Sequence, residues 1–152
     1  MKVDKIINTT QQTEIDINDI TLLSIEEYEQ TKEIVPLVIQ YWWLRSPGTY
    51  DNNVAVVLIG GSVNYFGLFV PDSYGVRPAL ILNMQSSNLQ IKDKFIFADY
   101  TWTVIGENLA LCDSVVGTTY FRKDWEAEDS SEYETSDIKK WLEDWLKERV
   151  EE

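Results

Sequence analysis

The sequence contains no histidine and a single cysteine. Without histidine there is no Ser-His-Asp triad, no Cys-His dyad and none of the commonest metal ligand. One cysteine cannot form an intramolecular disulfide, which fits a reducing compartment. That residue, Cys112, lies in the apolar run Leu109-Ala110-Leu111-Cys112. With no base nearby to make a thiolate, it reads as a buried strand residue rather than a nucleophile.

Positive charge is scarce: 13 Lys and Arg stand against 26 Asp and Glu, a net charge of −13. Such a field repels nucleic-acid phosphates and anionic membranes and attracts basic surfaces. It also serves plain solubility. No apolar run approaches the ~20 residues that span a bilayer, and the N-terminal stretch lacks the apolar core of a signal peptide. A phosphate-cradling loop is missing too. Gly60-Gly61-Ser62-Val63-Asn64-Tyr65-Phe66-Gly67 has the glycines but neither the Lys-Ser/Thr pair nor a following helix. The acidic run Asp124–Asp129 lacks the alternating Asp/Asn pattern and central glycine of an EF-hand loop. No catalytic residue, metal or cofactor is therefore expected.

What is present suits one α+β domain over residues 1–152. Hydrophobic residues make up 44%, and six Trp, eight Tyr and five Phe supply bulky core pieces. Alternation over Thr13–Ile17 predicts a short strand. Ser24 and Glu27 have capping-box spacing, which predicts a helix from about Ile25 to Ile34 that ends before Pro36. Ser46-Pro47-Gly48 reads as a turn. Residues 54–60 and 62–70 read as strands joined at Gly60-Gly61-Ser62, with Gly67 marking a bulge or a close backbone approach. After a turn at 71–75, residues 75–82 read as a third strand, in which Pro78 marks an edge or the start. Residues 85–90 form a polar connector. Residues 95–105 and 109–116 read as two strands around Gly106-Glu107-Asn108. Residues 124–135 are acidic and irregular. Ser136 then caps a helix in which Ile138, Trp141, Leu142, Trp145 and Leu146 share one face. The expected architecture is a twisted, mainly antiparallel sheet with two helices. There is no linker long enough to separate two domains and no tandem repeat.

Arg45 and Arg77 lie beside expected core strands. A half-buried arginine needs carboxylate or carbonyl partners, so both are expected to clamp loops.

Trp43-Leu44-Arg45-Ser46-Pro47-Gly48, followed some thirty residues on by Gly75-Val76-Arg77-Pro78-Ala79-Leu80, resembles an uncharacterised bacterial and phage domain family. Leu22–Tyr28 resembles that family's stretch before the first motif, so the likeness covers residues 20–82. Residues 95–150, through Tyr100–Ile105, Leu109–Leu111 and Ser136–Leu142, are similar to the same family's other half, which normally comes first. The chain thus resembles a circular permutation of the family domain. The family is in turn similar to C-type-lectin-like domains, which implies a binding scaffold and supplies no catalytic residues.

Three functions compete on these grounds. The first is an acidic, phage-type inhibitor, of the anti-CRISPR kind, that occupies the nucleic-acid-binding surface of a basic partner such as an effector nuclease. It would act in the cytoplasm of a bacterium or of a phage-infected cell, without touching nucleic acid or membrane itself. Its contact surface would be Asp124, Glu126, Glu128, Asp129, Glu132, Glu134, Asp137, Glu143, Asp144 and Glu148, with Glu151 and Glu152 at the end of the last helix. The same acids also read as a solvated face. The second is a lectin-like module binding a glycan or surface protein through Tyr50, Tyr65, Tyr74 or Tyr120, although aromatics at such positions more often serve packing. The third is an enzyme with paired carboxylates, which no spacing marks out.

Overall fold

The computed structural model describes residues 2–4, 14–83 and 89–150. Among these the chain forms eleven strands and two α-helices. The strands make two curled sheets. The first, six-stranded, runs β1 (Lys2–Asp4), β2 (Glu14–Thr21), β7 (Ala79–Asn83), β10 (Leu109–Cys112), β9 (Tyr100–Gly106), β8 (Lys94–Phe97). The second, five-stranded, runs β11 (Gly117–Tyr120), β6 (Ser73–Val76), β3 (Trp42–Pro47), β4 (Asn53–Val57), β5 (Val63–Phe69). All neighbours pair antiparallel except β3 and β6, which are parallel at Trp42 and Gly75. The α+β class is as the sequence implies.

The central strands β4, β9 and β10 are buried on two faces along most of their length and carry near-continuous apolar runs, whereas β5, β6 and β11 are partly exposed. In β4, Val54 and Val56 belong to one core cluster, while Ala55 and Val57 belong to the other. Trp43 and Trp42 divide in the same way. The larger cluster is capped by α2 (Asp137–Val150) through Ile138, Leu142, Trp145 and Leu146. The smaller one takes Tyr28 from α1 (Ile25–Thr31).

The capping box forms: Ser24 Oγ accepts from the Glu27 amide at 3.1 Å and Glu27 Oε1 from the Ser24 amide at 2.8 Å. The helix stops at Thr31, short of the expected Ile34, because the chain turns there and the Ile34 amide reaches the Thr31 carbonyl at 3.0 Å. Several other boundaries also move. Ser46 and Pro47 are the end of β3 rather than a turn; a bulge after Trp43 carries the strand to Pro47, and the bend falls at 49–52. Gly67 is both a bulge and a close approach. Its φ is +84°, the pairing slips beside it, and a Cβ there would lie 2.8 Å from the Val54 backbone.

The largest correction falls on residues 75–82. They form two strands in different sheets, β6 and β7, broken at Arg77-Pro78. Pro78 lacks the N–H a ladder requires, so it sits in the crossover. β7, which follows, is a central strand and not an edge. Residues 95–105 are likewise a hairpin, β8 and β9, turning through Ala98 and Asp99, both at positive φ. Val115 and Val116 lie outside β10, beyond which the chain crosses to β11 in the other sheet. Most of the connector at 85–90 lies outside the described residues.

Candidate partner-binding surface

The acidic segment is held in place from below. Phe121 and Arg122 both donate backbone N–H groups to the Val70 carbonyl, and the Ile138 amide returns to the Phe121 carbonyl at 3.1 Å. Arg122 is the hub of the loop. Its guanidinium pairs with Asp129 at 3.1 Å and donates to the Asp129 carbonyl at 3.2 Å and Thr135 Oγ1 at 2.9 Å. Ser130 is buried and donates to Asn52 Oδ1 at 2.8 Å. Ser136 caps α2 by accepting from the Lys139 amide at 3.2 Å while donating to the Tyr133 carbonyl at 2.6 Å. Residues 124–137 carry seven carboxylates and no Lys or Arg, and this framework turns most of them outward.

The ten proposed acids fall into two groups. Asp124, Glu126, Glu128 and Glu132 are exposed and have no ion-pair partner among the described residues. The other six are engaged. The Thr135 hydroxyl, and then Arg122, hold the Asp129 carboxyl below its ordinary range. Asp137 accepts from the Lys123 amide at 2.8 Å. Glu134 and Glu143 share Lys139 at 3.7 and 3.6 Å, Asp144 faces Lys140 at 3.4 Å, and Glu148 faces Arg149 at 3.6 Å. The carboxylates of α2 are thus largely offset by its own lysines and arginine. Uncompensated charge gathers on the loop. Glu151 and Glu152 lie outside the described residues.

The loop also carries a residue that charge reasoning passed over. Trp125 is 41% exposed and packs on the 38%-exposed Phe69 at 5.4 Å between ring centroids. Its signal in the sequence was a large aromatic inside an acidic run, away from any periodic apolar face. Of the four tyrosines considered for sugar stacking, Tyr50 and Tyr65 are exposed. Tyr50 stacks on Phe66 at 5.6 Å, and the Tyr65 hydroxyl donates to Glu29 at 2.8 Å. Tyr74 packs edge-on against Trp43, and Tyr120 is half-buried.

Beside the loop runs a groove. One cleft of about 280 Å³ lies between Arg45-Ser46-Pro47 and Glu132-Tyr133-Glu134. A second, of about 290 Å³, continues past Tyr133 toward Asp19, Thr21 and Lys139. Arg45 is fixed at its rim: Nη1 donates to the Leu22 carbonyl at 2.6 Å and to Glu27 at 2.5 Å. Burial alone pushes the Glu27 carboxyl up, but the Arg45 and Ser24 hydrogen bonds outweigh it and hold it below the usual range. Tyr133 is buried, and its hydroxyl has no hydrogen-bond partner. Thr21 lies beside it and gives its own hydroxyl hydrogen to the Leu22 carbonyl at 3.2 Å. Burial pushes the phenol up to about 12.

Arg77 has a purely internal setting, with Nε on the Cys112 carbonyl at 2.7 Å, Nη2 on the Pro36 carbonyl at 2.9 Å and the Trp42 ring beneath it at 4.9 Å. Both arginines clamp the chain through carbonyls, as their positions beside core strands imply. Among the described residues no group of three or more Cys, Asp or Glu side chains is placed to hold a metal ion, and no helix is long and apolar enough to cross a membrane.

A family model described as a domain of unknown function, DUF6273, matches residues 6–84. No curated protein and no solved structure matches the chain.

Proposed function

The chain belongs to the DUF6273 family, a domain of unknown function, and from that starting point we propose that it is a non-catalytic acidic binding protein. It acts as a phage-type inhibitor that occupies a basic, nucleic-acid-binding surface of a partner, in the manner of an anti-CRISPR protein. One observation carries this reading: Asp124, Glu126, Glu128 and Glu132 stand exposed and uncompensated on a loop whose backbone is fixed by buried hydrogen bonds. With the backbone already fixed, only side-chain freedom is lost on meeting a cationic surface, so the charge contributes to association rather than to ordering the loop. The absence of histidine and the burial of the only thiol support a role without covalent chemistry. In this proposal residues 95–150 are the family's other half in permuted order, and the scaffold is of the C-type-lectin-like kind.

The test is competition. The chain is added to a basic effector nuclease bound to labelled DNA, at low and at physiological salt. Displacement is expected at low salt and weakens steeply as the screening length shrinks from about 30 Å at 0.01 M to about 8 Å at 0.15 M. Indifference to nuclease effectors and to polycationic surfaces at low salt overturns the reading.

A second reading rests on a different observation, the open Tyr50–Phe66 stack beside Tyr65. Exposed ring faces suit sugar stacking, and a glycan array with and without calcium tests it; inertness in both conditions removes it.

A further inference from the structure

Resting on that reading, we propose that the partner's basic surface is a site for single-stranded nucleic acid, and that exposed aromatic rings beside the acidic loop take the place of its bases. Sites of that class combine a cationic track for phosphates with flat side chains on which successive bases stack. A duplex keeps its base faces inside the stack, so an imitation of it needs charge but no open rings. Open rings are what the structure adds to the charge. Tyr50 is 60% and Phe66 59% exposed, and they stack at 5.6 Å with their planes 20° apart. Phe69 and Trp125, also exposed, meet at 5.4 Å with their planes 56° apart. Contiguous apolar surface of this kind, rimmed by polar groups, marks an interaction site.

The chain holds the four rings at one end of the five-stranded sheet. Tyr50 lies in the bend at 49–52, Phe66 and Phe69 on β5, and Trp125 on the acidic loop. The Val70 amide donates to the Asn52 carbonyl at 2.9 Å, and Ser130 of the loop donates to Asn52 Oδ1 at 2.8 Å. Bend, strand and loop are thus tied into one unit.

The charges decide what covers the rings. From Asn53 to Pro71 there is no charged residue. Asp51 in the bend, and Asp124 and Glu126 on either side of Trp125, are exposed with no ion-pair partner among the described residues. Arg122 is engaged by Asp129, and the exposed Lys123 is outnumbered. A second copy would bring these carboxylates against their own kind, and an anionic membrane or a nucleic acid would meet the same repulsion. Strand addition is blocked in the middle of β5 as well. There the Phe66 and Gly67 amides donate to Asn64 Oδ1 at 3.1 and 3.3 Å, and the Tyr65 carbonyl accepts from the Thr49 amide at 3.0 Å. A neutral glycan suits the Tyr50–Phe66 stack but gives the flanking carboxylates no role. What fits both features is a cationic surface that itself carries flat side chains.

The experiment titrates the full chain, at low salt and neutral pH, with two octapeptides of equal charge, one alternating lysine with tyrosine and one alternating lysine with alanine. Calorimetry reads the affinities. The unaltered chain is expected to bind the tyrosine peptide about tenfold more tightly, the size of a ring-stacking contribution. Y50A/F66A and W125A truncate exposed rings, so their melting temperatures and their affinity for the alanine peptide are expected to hold. Each is expected to cut the preference for the tyrosine peptide to about threefold or less. The loop variant D124N/E126Q/E128Q weakens both peptides alike. If the unaltered chain binds the two peptides equally, or Y50A/F66A and W125A keep the full preference, the rings are not part of the contact and the acidic-surface reading stands without them. Glycans held on an array through Tyr50 and Phe66, with no preference between the peptides, give the stack to sugar and overturn the proposal too. If the unaltered chain binds neither peptide, the acidic-surface reading falls and the proposal with it.

Discussion

Arg77 Nε donates to the Cys112 carbonyl at 2.7 Å inside the seam where the chain passes from one sheet to the other. Arg77 lies between β6 and β7, and Cys112 ends β10, so a single buried guanidinium joins the crossover to the neighbouring strand. Its second bond, to the Pro36 carbonyl at 2.9 Å, ties in the segment after α1. Burial pulls its pKa down to about 10, which still leaves it charged at neutral pH.

Replacing Arg77 by leucine strands the buried Cys112 carbonyl, while the carbonyl of the exposed Pro36 can turn to water. A buried unsatisfied group costs about 1–3 kcal/mol, so R77L is expected to lose roughly that much stability. R77K keeps the charge but not the fork and is expected to be nearly as damaging. Denaturant midpoints measure both, and a midpoint unchanged in R77L would contradict the clamp.

Glu27 gives the acid limb of the stability curve a definite sign. Its carboxyl titrates below the ordinary value of 4.5 when folded, so its contribution is present above that value and fades as pH falls through the folded one. E27Q keeps an oxygen that can accept from the Ser24 amide and removes only the charge opposite Arg45, so it is expected to cost about 1 kcal/mol near neutrality. The difference from the unaltered chain should close at pH values below the folded pKa. Urea titrations across the acid range would show it; a gap of constant size would mean that the Arg45 pair is not responsible.

Two glycines predict opposite results. Gly67 has φ +84°, and an added Cβ would lie 2.8 Å from Val54 backbone atoms that cannot yield. G67A is expected to destabilise by about 1–3 kcal/mol, the usual size of such strain. Gly60 has open space within 4 Å and no positive φ, so G60A should be neutral within about 0.5 kcal/mol. Thermal melts of the pair separate backbone strain from any general intolerance of the β4–β5 hairpin.

Cys112 is fully buried, and burial pushes its thiol up to about 12. At neutral pH it is neither ionised nor reachable. Labelling by a disulfide reagent should therefore proceed at the rate of opening and rise with denaturant in step with unfolding. Rapid labelling of the folded chain would place the thiol at a surface.

Much of this was legible from local physics. The capping box at Ser24, the apolar face of α2, the Gly67 bulge and the carbonyl-seeking arginines each follow from a few neighbouring residues. The single run at 75–82 did not reveal its break, because Val76 and Ala79 are equally apolar whichever sheet receives them. The hairpin at Ala98-Asp99 escaped for a related reason: neither residue is a glycine, yet both adopt positive φ. The acids of α2 looked like part of the negative face, but lysines one turn away partly neutralise them.

The sequence alone determined the class of the fold, the helix starts, the burial of its aromatic core and a strong negative charge, since these depend on residue type and near-neighbour spacing. Tertiary structure decided which sheet each strand joins, which carboxylates remain uncompensated, and that Tyr133 comes to rest against Arg45. Those outcomes depend on contacts between residues far apart in the chain, such as Arg45 and Tyr133, and no local pattern encodes a distance across a core.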